Sequence, residues 1–292
     1  MRVLVQSGGG AKGAYQAGAL QHLLGDLGIH YDGFCGSSVG AINAMHLAQF
    51  AAGNELDAAK SLKELWLSID TPKVYKKWYG GVLWHLPALW KPSVFDSSPL
   101  RDFLGKHLHL AALRNSGKHL SVGAVSKTTG EYATWTERDL DILDGVLASS
   151  AFPLFLTPIR ARGDVWQDAG AREITPIADA IHMGATEIDV LCCSPLRVRA
   201  RPNRMGTALE NGMQELDVAF SEIERGDIAV TELWNLLAQA EHPLAKQKGR
   251  RVVKLRVLRP SHELLKNSLD FDPAKVRGNL ELGYADAKRI VW

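Results

Sequence analysis

Ser38 stands at the centre of Gly36-Ser37-Ser38-Val39-Gly40, a G-x-S-x-G pentapeptide of the kind that presents a serine on a sharp strand-to-helix turn. Glycines two positions to either side let the two elements approach without Cβ clashes. The N-terminus of the following helix favours negative charge developing near the hydroxyl. The chemistry such a turn supports is nucleophilic attack. The pentapeptide alone is a weak signal, because small residues also make ordinary turns; the strand–turn–helix setting favours the reactive reading. A second glycine-rich turn lies upstream in RVLVQSGGGAKGAYQAGAL, residues 2–20. There Val3, Leu4 and Val5 run into Gly8-Gly9-Gly10, then Lys12 and Gly13, then a helical stretch. Unpaired N–H groups at such a junction point at something negative, either a phosphate or an oxyanion that exists only during a reaction.

Two phosphate readings are open to test. A Walker loop requires Lys-Ser/Thr after its last glycine, and Ala14-Tyr15 stands there instead. A dinucleotide loop fits better: Gly8, Gly10 and Gly13 satisfy G-x-G-x-x-G, and Asp32 follows Gly13 by 19 residues, about where a ribose-binding acid belongs. That reading leaves the serine turn unexplained. If both turns follow parallel strands they open at one carboxyl edge, and the Gly9 and Gly10 amides, with Val39 N–H assisting, form an oxyanion hole facing Ser38.

A base must then activate Ser38. Asp168 with His182 or His262 would give the order of an α/β-hydrolase, but those enzymes place several strands before the nucleophile and this chain places about one. Asp168 lies in VWQDAGAREITP, a strand end followed by small residues. On local sequence alone it reads as a helix cap or turn aspartate. Paired with Ser38 it makes a Ser–Asp dyad, in which partial burial would raise a carboxylate from ~3.9 toward useful basicity.

The elements that must position these groups alternate between strand and helix, which predicts an α/β fold with a mainly parallel central sheet flanked by helices. Strands are expected at 2–6, 33–36, on both sides of Thr128-Thr129-Gly130, before Asp168, at 188–193 and at 251–258. Helices are expected at 14–26, 39–52, around Leu62, Leu65 and Trp66, and at 140–150, 176–183 and 206–241. A last helix opens at Asp272-Pro273, a good N-cap and first-position pair, with Val276, Leu280, Tyr284, Ala287 and Val291 at helical spacing.

Lys+Arg (34) and Asp+Glu (32) nearly cancel over 292 residues, which argues against a global field for nucleic acid. Cys35, Cys192 and Cys193 make no disulfide framework, and neither C-x-x-C nor H-E-x-x-H occurs, so no metal site is expected. The chain enters its first strand without a signal-peptide pattern and has no apolar run long enough to span a bilayer; a cytoplasmic location is the expectation.

Taken together, SGGGAKGAYQAGAL, GSSVG and DAG resemble the patatin-like phospholipases, as do ASSAFPLF, ITPIADAIHMGATEIDVL and FDPAKVRGNLELGYADAKR. The resemblance runs nearly end to end and is weakest over 60–118 and 195–245. It implies the patatin-like three-layer fold in a single catalytic domain over 1–292, with a candidate lid or helical subregion at about 60–115. It also implies hydrolysis of lipid acyl esters without cofactor or metal. Ser38 would be the nucleophile and Asp168 the general base and acid; Gly9, Gly10 and Val39 would form the oxyanion hole. Gly8, Lys12, Gly13, Gly36, Gly40 and Gly170 would support the motifs, with Lys12 ordering the glycine loop. One departure is Ala169, where the family commonly has glycine; a positive φ there would strain the turn. Residues 74–95 interleave Tyr75, Trp78, Tyr79, Trp84 and Trp90 with lysines, suiting a membrane interface or a lid, or equally a packed helical subregion. Arg197, Arg199, Arg201 and Arg204 could meet anionic headgroups. The rival functions are a non-catalytic lipid-binding module and, more remotely, an NAD(P)-binding oxidoreductase.

Overall fold

β-branched and apolar residues at 3–5 alternate between two faces, and both faces are covered. In the computed structural model, which describes residues 1–79, 89–196, 206–265 and 267–292, Val3 and Val5 pack toward one helical layer and Leu4 toward another, all fully buried. A strand buried on both sides belongs at the centre of a parallel sheet. Among the described residues the elements are β1 (Arg2–Gln6), α1 (Gly13–Leu20), β2 (Gly33–Gly36), α2 (Val39–Leu47), α3 (Glu55–Ser68), α4 (Thr71–Val74), β3 (Lys76–Lys77) and β4 (Phe95–Asp96). They continue with α5 (Ser98–His107), α6 (Leu110–Asn115), β5 (His119–Ser126), β6 (Tyr132–Thr136), α7 (Ile142–Ser149), β7 (Ile159–Ala161) and β8 (Asp164–Asp168). The last are α8 (Ile177–Met183), β9 (Glu187–Leu191), α9 (Ala208–Gln239), α10 (Pro243–Gln247), β10 (Lys254–Leu258) and α11 (Pro273–Ala287).

The main sheet has eight strands in the order β10-β9-β1-β2-β5-β8-β7, with β6 also on β5. Pairing is parallel from β10 through β5, and antiparallel where β6, β8 and β7 join. The expected mainly parallel sheet between helical layers is therefore present. Helices α1, α2, α3, α7 and α11 cover one face, while α8 and part of α9 cover the other. The 14–26 stretch is α-helical only to Leu20 and then widens into a π-turn over Gln21–Asp26; the 39–52 helix stops at Leu47. Val291 lies beyond the end of α11 and is exposed.

The pairing of β5 positions the site. β6 pairs with Ser121–Val125, overlapping the stretches used by both β2 (to Val122) and β8 (from Ala124), so β2 and β8 must share the other edge. They run toward each other along it. Gly36 ends β2 opposite Val122, and Asp168 ends β8 opposite Ala124. The two chain ends thus meet within about two residues on one edge. The turn that leaves β2 must rise out of the sheet at that meeting point.

Much of the described part of 60–115 packs into the core. Leu62, Leu65, Trp66, Leu100, Phe103 and Leu104 are all core residues. The short β3–β4 pair bridges α4 and α5.

Candidate active site

The chain leaving β2 turns through Ser38, whose φ of +53° and ψ of −125° lie in a region that L-residues adopt only when the surroundings enforce it. The enforcement is visible. A Cβ on Gly36 would lie 2.2 Å from the Gly40 carbonyl oxygen, and one on Gly40 would lie 2.1 Å from that of Gln6. Ser38 N–H donates to Ser149 Oγ at 2.9 Å, and Ser150 Oγ donates to the Ser38 carbonyl at 3.1 Å. Both serines end α7 and clamp the strained residue from the outside. Ser38 is 6 % exposed and lines two adjoining spaces.

The glycine loop folds over this turn. Gly8 N–H donates to Ile174 O and Ala11 N–H to Ser268 O. The N–H groups of Gly9, Gly10 and Val39 have no hydrogen-bond partner among the described residues. All three predicted oxyanion donors are therefore unpaired, and Gly9 and Gly10 border a small space with Ser38. Gly10 has a φ of +57°, and its Cβ would fall 2.1 Å from Ser268 O, so only glycine fits. Lys12 is buried and reaches Asp217 of α9 at 3.6 Å, while Asp217 Oδ1 accepts from Ser268 Oγ. This pair ties the glycine loop to α9. Gln16 Nε2 donates to Ser7 O and Leu191 O. Asn43 joins Gln16 to Trp66, so the loop, α2 and the end of β9 share one buried network.

Asp168, the last residue of β8, is fully buried. Its Oδ1 accepts from Gly170 N–H at 2.8 Å. The Ser38 hydroxyl is near enough to favour the charged carboxylate, yet Oδ2 is left buried without an aligned hydrogen bond. Catalytic hydrogen bonds commonly tighten only once substrate is bound. Burial drives the Asp168 pKa up to about 7, against the smaller opposing effects of Ser38 and Gly170. Ala169 opens a 3₁₀ turn over Ala169–Ala171 with an ordinary negative φ, so the departure from glycine strains nothing. A Cβ on Gly170 would lie 2.5 Å from Ile174 Cδ1 and 3.0 Å from Asp168 Oδ1.

Ser38 sits where two spaces meet. One is lined by Val39, Ile42, Leu65, Trp66, Leu100 and Phe271 among other apolar residues. The other is bordered by Gly8, Gly9, Gly10, Lys12, Asp217 and Glu224. No histidine lines either space among the described residues. His182 lies in a separate cleft with Asp179 and Glu137, and His262 is exposed beside Ser261. Asp32 precedes β2 and hydrogen-bonds Arg2 N–H at the amino edge of the sheet. A ribose-binding acid would have to stand at the carboxyl edge, so Gly8, Gly10, Gly13 and Asp32 do not converge.

Sequence reasoning missed Ser149, Ser150, Asp217 and Ser268. The serine pair before Pro153 was the only local trace; the other two act across long sequence separations. Trp84 and the cluster Arg197, Arg199, Arg201 and Arg204 lie outside the described residues. Around them, Trp78 Nε1 donates to Ser93 O, Tyr75 packs on Phe95, and Tyr79 and Trp90 are exposed.

A sequence profile of the family described as Patatin-like phospholipase matches residues 4–181. That covers more than half of the chain, and the chain belongs to this family of lipid acyl hydrolases. No curated protein matches the chain. Among solved structures, it is similar to VipD from Legionella pneumophila at 14% identity and a TM-score of 0.46. That alignment covers 99% of this chain and 66% of VipD, so the chain spans just under two thirds of that protein's length.

Proposed function

We propose that the chain is a serine acyl-ester hydrolase acting on phospholipid or lysophospholipid acyl chains through a Ser38–Asp168 dyad, with residues 1–292 forming one catalytic unit. A buried carboxylate beside the strained serine, with three unpaired amides in the adjoining turns, is the observation that carries this reading. Ser38 Oγ attacks the acyl carbonyl as its proton passes to Asp168. The oxyanion is received by the N–H groups of Gly9, Gly10 and Val39, each such donor being worth roughly 2.7–4 kcal/mol in the transition state. Asp168 then gives the proton to the departing alcohol, and afterwards takes one from the water that hydrolyses the acyl-enzyme. The acyl chain occupies the apolar space beside Val39 and Ile42. Glycine at 8, 13, 36, 40 and 170 permits the close approaches that hold these groups.

The protein would work in the cytoplasm, which suits its three buried free thiols, and touch a membrane peripherally through 74–95, where Tyr79, Leu89 and Trp90 are exposed. No helix among the described residues is long and apolar enough to cross a membrane.

The test is a fluorescent fluorophosphonate applied to the protein and its Ser38→Ala variant, with p-nitrophenyl esters of graded chain length as substrates. Labelling and turnover should vanish together in the variant. A folded wild-type protein that neither labels nor hydrolyses would leave the lipid-binding module as the better account.

A further inference from the structure

Helix α9 turns a polar side inward. From Ser221 onward its buried positions are Ser221, Glu224, Ile228 and Thr231, and of these only Ile228 is apolar. The opposite side carries Ala219, Gly226, Ala229, Leu233, Leu236 and Ala240, all exposed, at intervals of seven, three and four residues. Val230, Leu233 and Leu236 are 54, 55 and 63 % exposed. A surface helix ordinarily buries its apolar stripe, and this interval pattern is that of a helix-pairing seam. Gly226 adds a second sign. A Cβ there would meet nothing within 4 Å, so packing within the chain does not call for glycine in the middle of this helix. Charge is divided along the same element. Glu210, Glu215 and Glu222 are exposed on its N-terminal half, whereas Lys246, Lys248, Arg250 and Arg251 follow its C-terminal end. Glu241 pairs with Lys246 there, and the end stays basic.

We propose that this face pairs two copies of the chain, with their α9 helices antiparallel about a two-fold axis near Ala229-Val230. Such an axis sets the large Leu233 and Leu236 of each copy against the small Ala219–Ala229 half of the other, where Gly226 leaves room for a leucine. It also brings the Glu210 and Glu215 end of one helix to the Lys246–Arg250 end of the other, and opposes the two helix dipoles. A parallel pair would set leucine on leucine, glycine on glycine and acid on acid. A lipid bilayer fits less well, because Glu215 and Glu222 lie on the same face and would meet anionic headgroups. The stripe from Ala219 to Ala240 is about 30 Å long at the helical rise. Two such faces bury on the order of 1,000 Å² in total, the low end for a specific contact, so a micromolar dimer is expected. The inward side of α9, which borders the space beside Ser38, is left as it is.

The experiment is sedimentation velocity of the full chain from about 1 to 100 μM, the range in which a contact of this size assembles. Wild-type protein should pass from monomer to dimer across it. Leu233→Glu should stay monomeric throughout while melting as wild type does at the lowest concentration, because Leu233 is exposed within the chain. Orientation is read by oxidative cross-linking, to which the three native cysteines, all buried, do not contribute. Ala229→Cys lies beside the axis and should cross-link two copies. Ala240→Cys should not, since an antiparallel pair holds its two positions about 30 Å apart. A wild-type protein that is monomeric at 100 μM, or a dimer that persists in folded Leu233→Glu, would overturn the proposal. So would Ala240→Cys cross-linking as readily as Ala229→Cys. A monomer that instead sediments with phosphatidylcholine–phosphatidylserine vesicles, and loses that with Leu233→Glu, would give the face to a lipid surface.

Discussion

Burial gives Asp168 a pKa of about 7, far above the 3.8 of an exposed aspartate, and two consequences follow from that one number. To serve as the proposed base it must be ionised in the free enzyme, so kcat/KM on a p-nitrophenyl ester should rise with pH and level off above about 7. A flat profile between pH 5 and 8 would exclude Asp168 as the base. Stability runs the other way. A carboxyl whose folded pKa exceeds its unfolded pKa keeps its proton in the native state while the unfolded chain has lost it, so stability declines from pH 3.8 to about 7. The ionised carboxylate therefore costs on the order of 4 kcal/mol at pH 8 before relaxation, from the size of the shift. Asp168→Asn removes the charge and keeps the shape. It should lose activity by at least about 10³-fold while melting several degrees above wild type at pH 8 and close to it at pH 4. Equal melting at pH 8 would mean the carboxylate is solvated in solution.

The elements around the site make contributions that no single residue reveals. The strained Ser38 turn is held by the end of α7, where Ser149 Oγ satisfies the buried Ser38 N–H. Ser149→Ala should leave that donor unpaired, destabilise by about 1–3 kcal/mol and lower kcat by roughly 10-fold as the hydroxyl loses its bearing. Loss of stability without loss of kcat would mean α7 supports the fold but not the elbow. On the far side, α1 and α11 cross at glycines. A Cβ on Gly283 would stand 1.9 Å from Tyr15 O, and one on Gly18 would stand 2.0 Å from Leu280 O. Gly283→Ala must push the helices apart, for a loss of about 1–3 kcal/mol in urea unfolding; an unchanged midpoint would show the crossing to be looser than described.

These same elements explain what could be read from the sequence. The two glycine turns were legible because their geometry is local, an apolar strand entering small residues and a helix. The Ser38–Asp168 pairing was not local at all. It depends on β2 and β8 sharing an edge of β5, a register set across more than 100 residues. Asp217 was invisible for the same reason, since its partner Lys12 lies at the other end of the chain and only the fold aligns them.

At the scale of the whole molecule, Asp168 is one of several carboxyls that folding holds against their ionised form. Burial and neighbouring acids raise Glu173 to about 8, and burial raises Asp227 to about 7; Asp179 and Glu224 are also pushed up by burial. Glu173 feels Asp179 and Asp227 directly, and Asp227 feels Glu224, so the α8–α9 side of the sheet carries an acidic cluster that a rising pH turns repulsive. Each of these groups is protonated in the native state where the unfolded chain is already ionised, so each makes stability fall as pH rises through the interval up to its folded pKa. His46 works in the opposite sense. Burial lowers it to about 4, so the unfolded state binds its proton first and stability rises with pH between 4 and 6.5. Above pH 6.5 the His46 contribution is complete, and the raised carboxyls pull the slope downward. The melting temperature should therefore drop between pH 6.5 and 8, by on the order of 5 °C for a chain of this size, over the same interval in which esterase activity climbs. Glu173→Gln with Asp227→Asn should flatten the drop without touching the Ser38 turn, while Asp168→Asn flattens a further part and removes activity. A melting temperature that holds level or rises from pH 6.5 to 8 would show that the cluster is hydrated and that the site's basicity is set without cost to the fold.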